Sequence, residues 1–123
     1  MKKILVVDDE VEVLSVFERF LDQLGYDPEV FDKWEVALDR FQEEHFDLVI
    51  LDVHMPGKDG FHLAKEMKDF KPEQKILMIT GLSAGDAYQY LSSLDEEFDV
   101  SEVLYKPFTM KKVKKILMKI LNS

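Results

Sequence analysis

Four short runs of consecutive apolar residues punctuate the chain: Ile4–Val7, Leu48–Leu51, Ile76–Ile79 and a weaker Val103–Tyr105. Runs this short, unbroken and rich in branched side chains predict strands buried on both faces, because a half-exposed strand would alternate apolar with polar residues. Between the runs, apolar positions recur with the helical period. Val11, Leu14, Phe17, Leu21 and Leu24 mark a first helix, closed by Gly25, the residue type that most readily adopts the left-handed backbone ending many helices. Trp34, Ala37, Leu38 and Phe41 mark a second. Leu63, Ala64, Met67 and Phe70, ahead of Pro72, mark a third. Ala84, Ala87, Tyr88, Leu91 and Leu94 mark a fourth, and Met110, Val113, Ile116, Leu117, Ile120 and Leu121 a fifth. A further short strand at Glu29–Phe31 fits between the first two helices, and Pro28 at its start suits an edge, where a missing N–H is tolerated.

Five strands alternating with five helices predict an α/β fold: a doubly wound parallel sheet covered on both faces, with right-handed crossovers. Ligands of such sheets sit outside the carboxyl ends of the strands. The residues expected there are Asp8, Asp9 and Glu10 after the first strand, Asp52 after the third, Thr80 after the fourth and Lys106 after the fifth.

The chain's 123 residues fit one domain, 1–123, with no separate output domain expected beside it. Its 46% apolar and 33% charged composition is that of a chain able to fold alone. With 16 Lys and Arg against 25 Asp and Glu, the formal charge of −9 opposes general attraction to nucleic acid or to an anionic membrane, so neither is expected as a partner. The absence of cysteine removes thiolate catalysis and Cys-based zinc sites. MKKILVV runs directly into DDE, unlike a signal peptide, and the longest apolar runs fall far short of the ~20 residues that span a bilayer. The expected location is the cytoplasm.

Three aspartates gathered at one sheet edge repel each other unless a cation holds them. A hard divalent ion with oxygen ligands is the natural solution, and Mg²⁺ suits a site that also takes up phosphate oxygens. A carboxylate can attack phosphorus to give an aspartyl phosphate, with charge building on the equatorial oxygens of the transferring group. An ammonium and a hydroxyl, here Lys106 and Thr80, answer that charge.

VVDDE at 6–10, LDVHMPGKDG at 51–60, ITG at 79–81 and YKPF at 105–108, in this order, resemble the receiver domain of two-component response regulators over essentially the whole chain. The resemblance implies the flavodoxin-like strand order 2-1-3-4-5. It implies Asp52 as the phosphorylated aspartate, Asp9 as a direct Mg²⁺ ligand, Asp8 as an acid binding the metal through water, and the His54 carbonyl as a backbone ligand. Thr80 matches the hydroxyl that moves on phosphorylation, Lys106 the lysine that contacts the phosphoryl group, Lys106–Pro107 a cis peptide, and Pro56 and Gly60 the turn before the third helix. The implied protein is not an enzyme in the turnover sense but a stand-alone phosphoacceptor. It is loaded by a sensor histidine kinase and signals through a downstream protein or a phosphotransfer partner.

Each residue has an ordinary reading by itself. The acids at 8–10 could cap the first helix, Asp52 could be a turn residue, and Thr80 and Lys106 a loop hydroxyl and a surface cation. Their joint arrangement reverses that weighing. His45, His54 and His62 match no transition-metal spacing and are expected in solvent, although His54, two residues past Asp52, could influence attack of water on a phosphoryl group. Lys111, Lys112, Lys114, Lys115 and Lys119 read as a solvated helix face, and the six methionines as core filler. The alternatives are a receiver-fold binding module that works without phosphorylation, against which the intact acid, hydroxyl and lysine set argues, and an aspartyl-phosphate hydrolase. The hydrolase wants nucleophile and acid two apart after the first strand, which Asp8-Asp9-Glu10-Val11 fits poorly. Two departures from the family pattern concern signalling. Val103 stands at the usual aromatic switch position, with Tyr105 displaced by two on the same strand face, and LDEEFDVSE replaces the small-residue turn before the fifth strand.

Overall fold

A computed structural model describes residues 1–81, 86 and 102–122. Apart from Asp86, the expected fourth helix lies outside the described residues, as does the LDEEFDVSE segment up to Glu102. The apolar runs form the strands β1 (Lys3–Val7), β3 (Leu48–Asp52), β6 (Ile76–Thr80) and β7 (Glu102–Tyr105), and β2 spans Asp27–Phe31. All pair in parallel, in the order β2-β1-β3-β6-β7, which is the expected 2-1-3-4-5 in strand sequence. Pro28 lies on the edge strand, as its missing donor requires.

The period of two along each strand sorts the core into two layers. Ile4, Val6, Leu48, Ile50, Leu77, Ile79 and Leu104 face helices α1 (Val11–Gln23) and α4 (Met110–Leu121), meeting Leu14, Phe17, Leu21, Val113 and Leu117. Leu5, Val7, Val49, Leu51, Ile76 and Met78 face α2 (Trp34–Glu43) and α3 (Gly60–Phe70), meeting Ala37, Phe41, Leu63, Ala64 and Met67. Burial on both faces explains why these strands read as continuous apolar runs.

Gly25 closes α1 as expected. It takes φ +87°, its N–H donates to the Asp22 carbonyl at 3.0 Å, and the Tyr26 N–H donates to the Leu21 carbonyl at 3.0 Å, the pair of bonds that satisfies the last helical carbonyls. Helix α3 stops at Phe70 because Lys71, held extended ahead of Pro72, cannot continue it. The lysines of α4 are exposed opposite its buried stripe, and all three histidines face solvent. The methionines are divided: Met67 and Met78 are fully buried and Met55 nearly so, but Met1 and Met118 are largely exposed, which corrects the reading of all six as core filler. Not anticipated was a two-strand antiparallel ribbon, β4 (His54–Met55) and β5 (Lys58–Asp59), between β3 and α3.

Candidate functional site

The parallel topology brings the carboxyl ends of β1, β3, β6 and β7 to one edge, and the acids follow from that. Asp8 directly follows β1, fully buried. Asp52 ends β3 at 3% exposure, and Thr80 ends β6, fully buried. Lys106 follows β7, its N–H donating to the Thr80 carbonyl at 2.7 Å, and the Lys106–Pro107 peptide is cis. Thr80 and Tyr105 are register partners. Val103 and Tyr105 both line the groove between β7 and α4, consistent with their sharing a strand face.

Asp8 spends one carboxylate oxygen on the chain itself: Oδ1 accepts from the Glu10 N–H at 2.8 Å. Its Oδ2 is buried without a hydrogen bond, 3.9 Å from the Lys106 ammonium, which also stands 3.5 Å from Glu10 Oε1. Glu10 is the N-cap of α1 yet its side chain makes no capping hydrogen bond, so helix capping does not account for this acid.

Asp52 Oδ1 accepts from the His54 N–H at 3.3 Å. Burial pushes the Asp52 carboxyl up to about 7, the negative charge of Asp8 adds to the rise, and Lys106 and the His54 N–H pull against it. Burial likewise raises Asp8, with Glu10 and Asp9 adding repulsion and the Glu10 N–H and Lys106 opposing. Two buried, mutually repelling carboxyls are relieved by positive charge placed between them.

The residues fit a hard divalent cation. Asp8, Asp9 and Glu10 each bring a carboxylate oxygen within 4.8 Å of the others, the buried Asp8 Oδ2 lacks a hydrogen bond, and the donors are all oxygen. Asp9 also shares an open pocket with His54 and Asp59 on the ribbon.

Behind Asp52 the chain is packed to contact. The Val53 N–H donates to the Ile79 carbonyl at 2.8 Å, and the Gly60 N–H to the Val53 carbonyl at 2.7 Å. A Cβ on Gly60 would stand 2.1 Å from the Asp52 carbonyl oxygen and 2.8 Å from the Val53 Cα, so the start of α3 rests directly on the Asp52–Val53 peptide. Asp59 caps that helix, its Oδ1 accepting from the Phe61 N–H at 2.8 Å.

A family model for the response regulator receiver domain matches residues 4–118. The chain belongs to that family. Among curated relatives, this receiver domain is 36% identical to the probable transcriptional regulator ycf27 of Cyanophora paradoxa, over 98% of this chain and 48% of that protein. It is 33% identical to the response regulator receiver protein CpdR of Brucella abortus, over 90% of this chain and 89% of that one. The chain thus spans about half the length of the ycf27 relative. The response regulator TrrA of Thermotoga maritima, solved in complex with Mg²⁺ and BeF, superposes with a TM-score of 0.82 at 33% identity, covering 98% of this chain and all of that one. The receiver domain is a signalling domain, and no described helix is long and apolar enough to cross a membrane.

Sequence reading had named Asp8, Asp9, Asp52, His54, Thr80 and Lys106. The structure brings Asp8, Asp52 and Lys106 into one electrostatic group and puts the His54 backbone against Asp52. Two participants had been given no such role: Glu10, which shares Lys106 with Asp8, and Gly60, whose missing side chain admits α3. The Gly60 requirement was latent in the turn motif; the Glu10 pairing had no signal beyond its neighbours.

Proposed function

We propose that this receiver domain accepts a phosphoryl group on Asp52 from the phosphohistidine of a sensor histidine kinase. The change is then passed to a partner protein by contact or by onward phosphotransfer. The observation carrying this reading is the buried Asp52 carboxylate at the end of the central strand, with Asp8 and Lys106 acting on it electrostatically. One Asp52 oxygen attacks phosphorus. The P–N bond to the imidazole breaks, its electron pair returns to the ring nitrogen, and a P–O bond to Asp52 forms. The residues that would hold Mg²⁺ are Asp8, Asp9, Asp52 and the His54 carbonyl. When bound, the ion neutralises the acids and the charge on the transferring oxygens. The His54 N–H orients the Asp52 carboxylate. Lys106 leaves Asp8 and Glu10 to meet the phosphoryl oxygens, and Thr80 supplies a hydroxyl from the neighbouring strand end. No general base is required, because a divalent cation bound beside Asp52 would offset the burial and the Asp8 charge that raise its carboxyl and keep the attacking group ionised. The family match and the Mg²⁺–BeF complex of TrrA support the reading, as does the set of acids that fits a cation.

Incubation with Mg²⁺ and acetyl phosphate should add a single group of ~80 Da to the intact mass. The group should be removed by hydroxylamine, as acyl phosphates are, and should fail to form when the metal is chelated. An adduct that forms equally well in chelator would contradict this chemistry.

His54 is exposed and lines the pocket beside Asp9, so its ring can stand in the path of a water approaching Asp52. His54→Ala should therefore shorten the phosphorylated lifetime several-fold while leaving denaturant stability within ~0.5 kcal/mol. An unchanged lifetime, followed by loss of the adduct with time, would remove His54 from hydrolysis.

A further inference from the structure

The ribbon that follows Asp52 carries the His54 N–H that donates to the Asp52 carboxylate, and it is only two residues long on each side. Two-residue strands cannot hold a position by their own ladder, since isolated ribbons are marginal even when longer. One side of it is pinned by Met55, which packs into the α2–α3 layer of the core. The other side begins with Lys58, opposite Met55 in the register. Its ammonium sits over the Trp34 ring of α2, 4.6 Å from the centroid, and pairs with Glu66 of α3. Its side chain is 18% exposed although it directly follows the exposed turn at Pro56 and Gly57. A cation held between an aromatic face and a carboxylate from two different helices is a defined anchor point.

From this arrangement we infer that Lys58, Trp34 and Glu66 form a clip that fixes the ribbon, and with it the His54 backbone, at the phosphorylation site. Lys58 is a positioning residue. It acts through His54 on the Asp52 carboxylate and on the Mg²⁺ affinity of the site, so the inference rests on the phosphoacceptor reading above.

The clip and the plain charge of Lys58 predict opposite signs. Lys58 lines the same pocket as Asp9, so by Coulomb's law alone, removing its positive charge should tighten binding of a dication. If instead Lys58 holds the ribbon, its removal loosens a ligand-bearing backbone and weakens binding, as loss of supporting contacts around metal ligands generally does. Calorimetric titration with Mg²⁺ alone, without any phosphodonor, reads the sign. Lys58→Ala should weaken Mg²⁺ binding roughly tenfold. Trp34→Leu, which breaks the clip from α2 without changing charge, should weaken it in the same direction. Lys58→Arg, which keeps both the aromatic and the ionic contact, should restore it. Trp34 is the only tryptophan in the chain, so its emission reports the clip directly and should change between wild type and Lys58→Ala.

Mg²⁺ binding to Lys58→Ala as tight as or tighter than to wild type would overturn the clip and leave the phosphoacceptor reading standing. Failure of wild type to bind Mg²⁺ would overturn both.

Discussion

Gly60→Ala is expected to lose at least ~3 kcal/mol of stability and to slow phosphorylation of Asp52 on the order of a hundredfold. The added methyl would lie 2.1 Å from the Asp52 carbonyl oxygen, and the nearest atoms are all backbone, belonging to Asp52 and Val53. A flexible side chain could swing away, but a peptide in the central strand cannot. It is held by the Val53 N–H to Ile79 on one side and by the Gly60 N–H itself on the other. Relief therefore requires either that α3 lift from the sheet, exposing Phe61, Leu63 and Met67, or that the Asp52 peptide shift away from Asp8 and Lys106. The first route lowers stability and the second misplaces the nucleophile. Urea denaturation and acetyl phosphate kinetics measured on the same variant separate the two. Stability within 1 kcal/mol of wild type together with an unchanged rate would show that the approach of α3 to Asp52 is less tight than the structure makes it.

The second large effect is of pH on the metal-free protein. Asp52 is raised from the ordinary aspartate value to about 7, and Asp8 is raised as well. A carboxyl whose folded pKa lies above its unfolded one binds its proton more tightly when folded. Its contribution to stability is present in full below the unfolded value near 4 and is lost as pH rises through about 7. The acids with lowered values work at the other end of the scale. Glu29 is held down by the Arg40 guanidinium, which hydrogen-bonds it at 2.7 and 3.0 Å. In Asp47, burial pushes upward but the Lys3 N–H and His45 outweigh it. Their stabilisation is kept above their unfolded pKa values and lost on acidification, so it does not mask a change between pH 5 and pH 8. Chelated protein should accordingly be less stable at pH 8 than at pH 5, by on the order of 2–4 kcal/mol. Asp52→Asn should remove most of that difference by raising stability at pH 8, and saturating Mg²⁺ should do the same for wild type. Flat stability across this range in the chelated wild type would mean that the acids are not crowded as described.

The strands β1, β3 and β6 were legible because they are buried on both faces and so write unbroken apolar runs, while half-buried β7 wrote a weaker one. Even the edge strand announced itself through Pro28. The helices were legible through their period, and the end of α1 through Gly25. The β4–β5 ribbon was not, since two residues are too few to show any period. Nor was the clip that holds it, because Trp34 and Lys58 are far apart in sequence and each is an ordinary residue of its element. At the site, Asp8, Asp52, Thr80 and Lys106 could be placed from the topology rule alone, since every one follows an apolar run. Their energetics could not. That Asp8 Oδ2 is buried without a hydrogen bond, or that Gly60 is needed for closeness rather than for turning, depends on three-dimensional contact and leaves no local trace. Methionine misled for a related reason: Met118 lies on α4 outside the buried stripe of Val113, Leu117, Ile120 and Leu121, a distinction that residue type by itself does not make.

The charge of −9 opposes nucleic-acid binding by the residues present here. It does not extend to the additional length of relatives such as the ycf27 regulator, of which this chain matches 48%.

The most direct test of the account is the intact mass of Asp52→Asn beside wild type, both folded by circular dichroism and both incubated with Mg²⁺ and acetyl phosphate. The account predicts a single adduct of ~80 Da on wild type and none on the variant. The same adduct on Asp52→Asn would place the phosphoryl group elsewhere and contradict the role assigned to the central carboxylate.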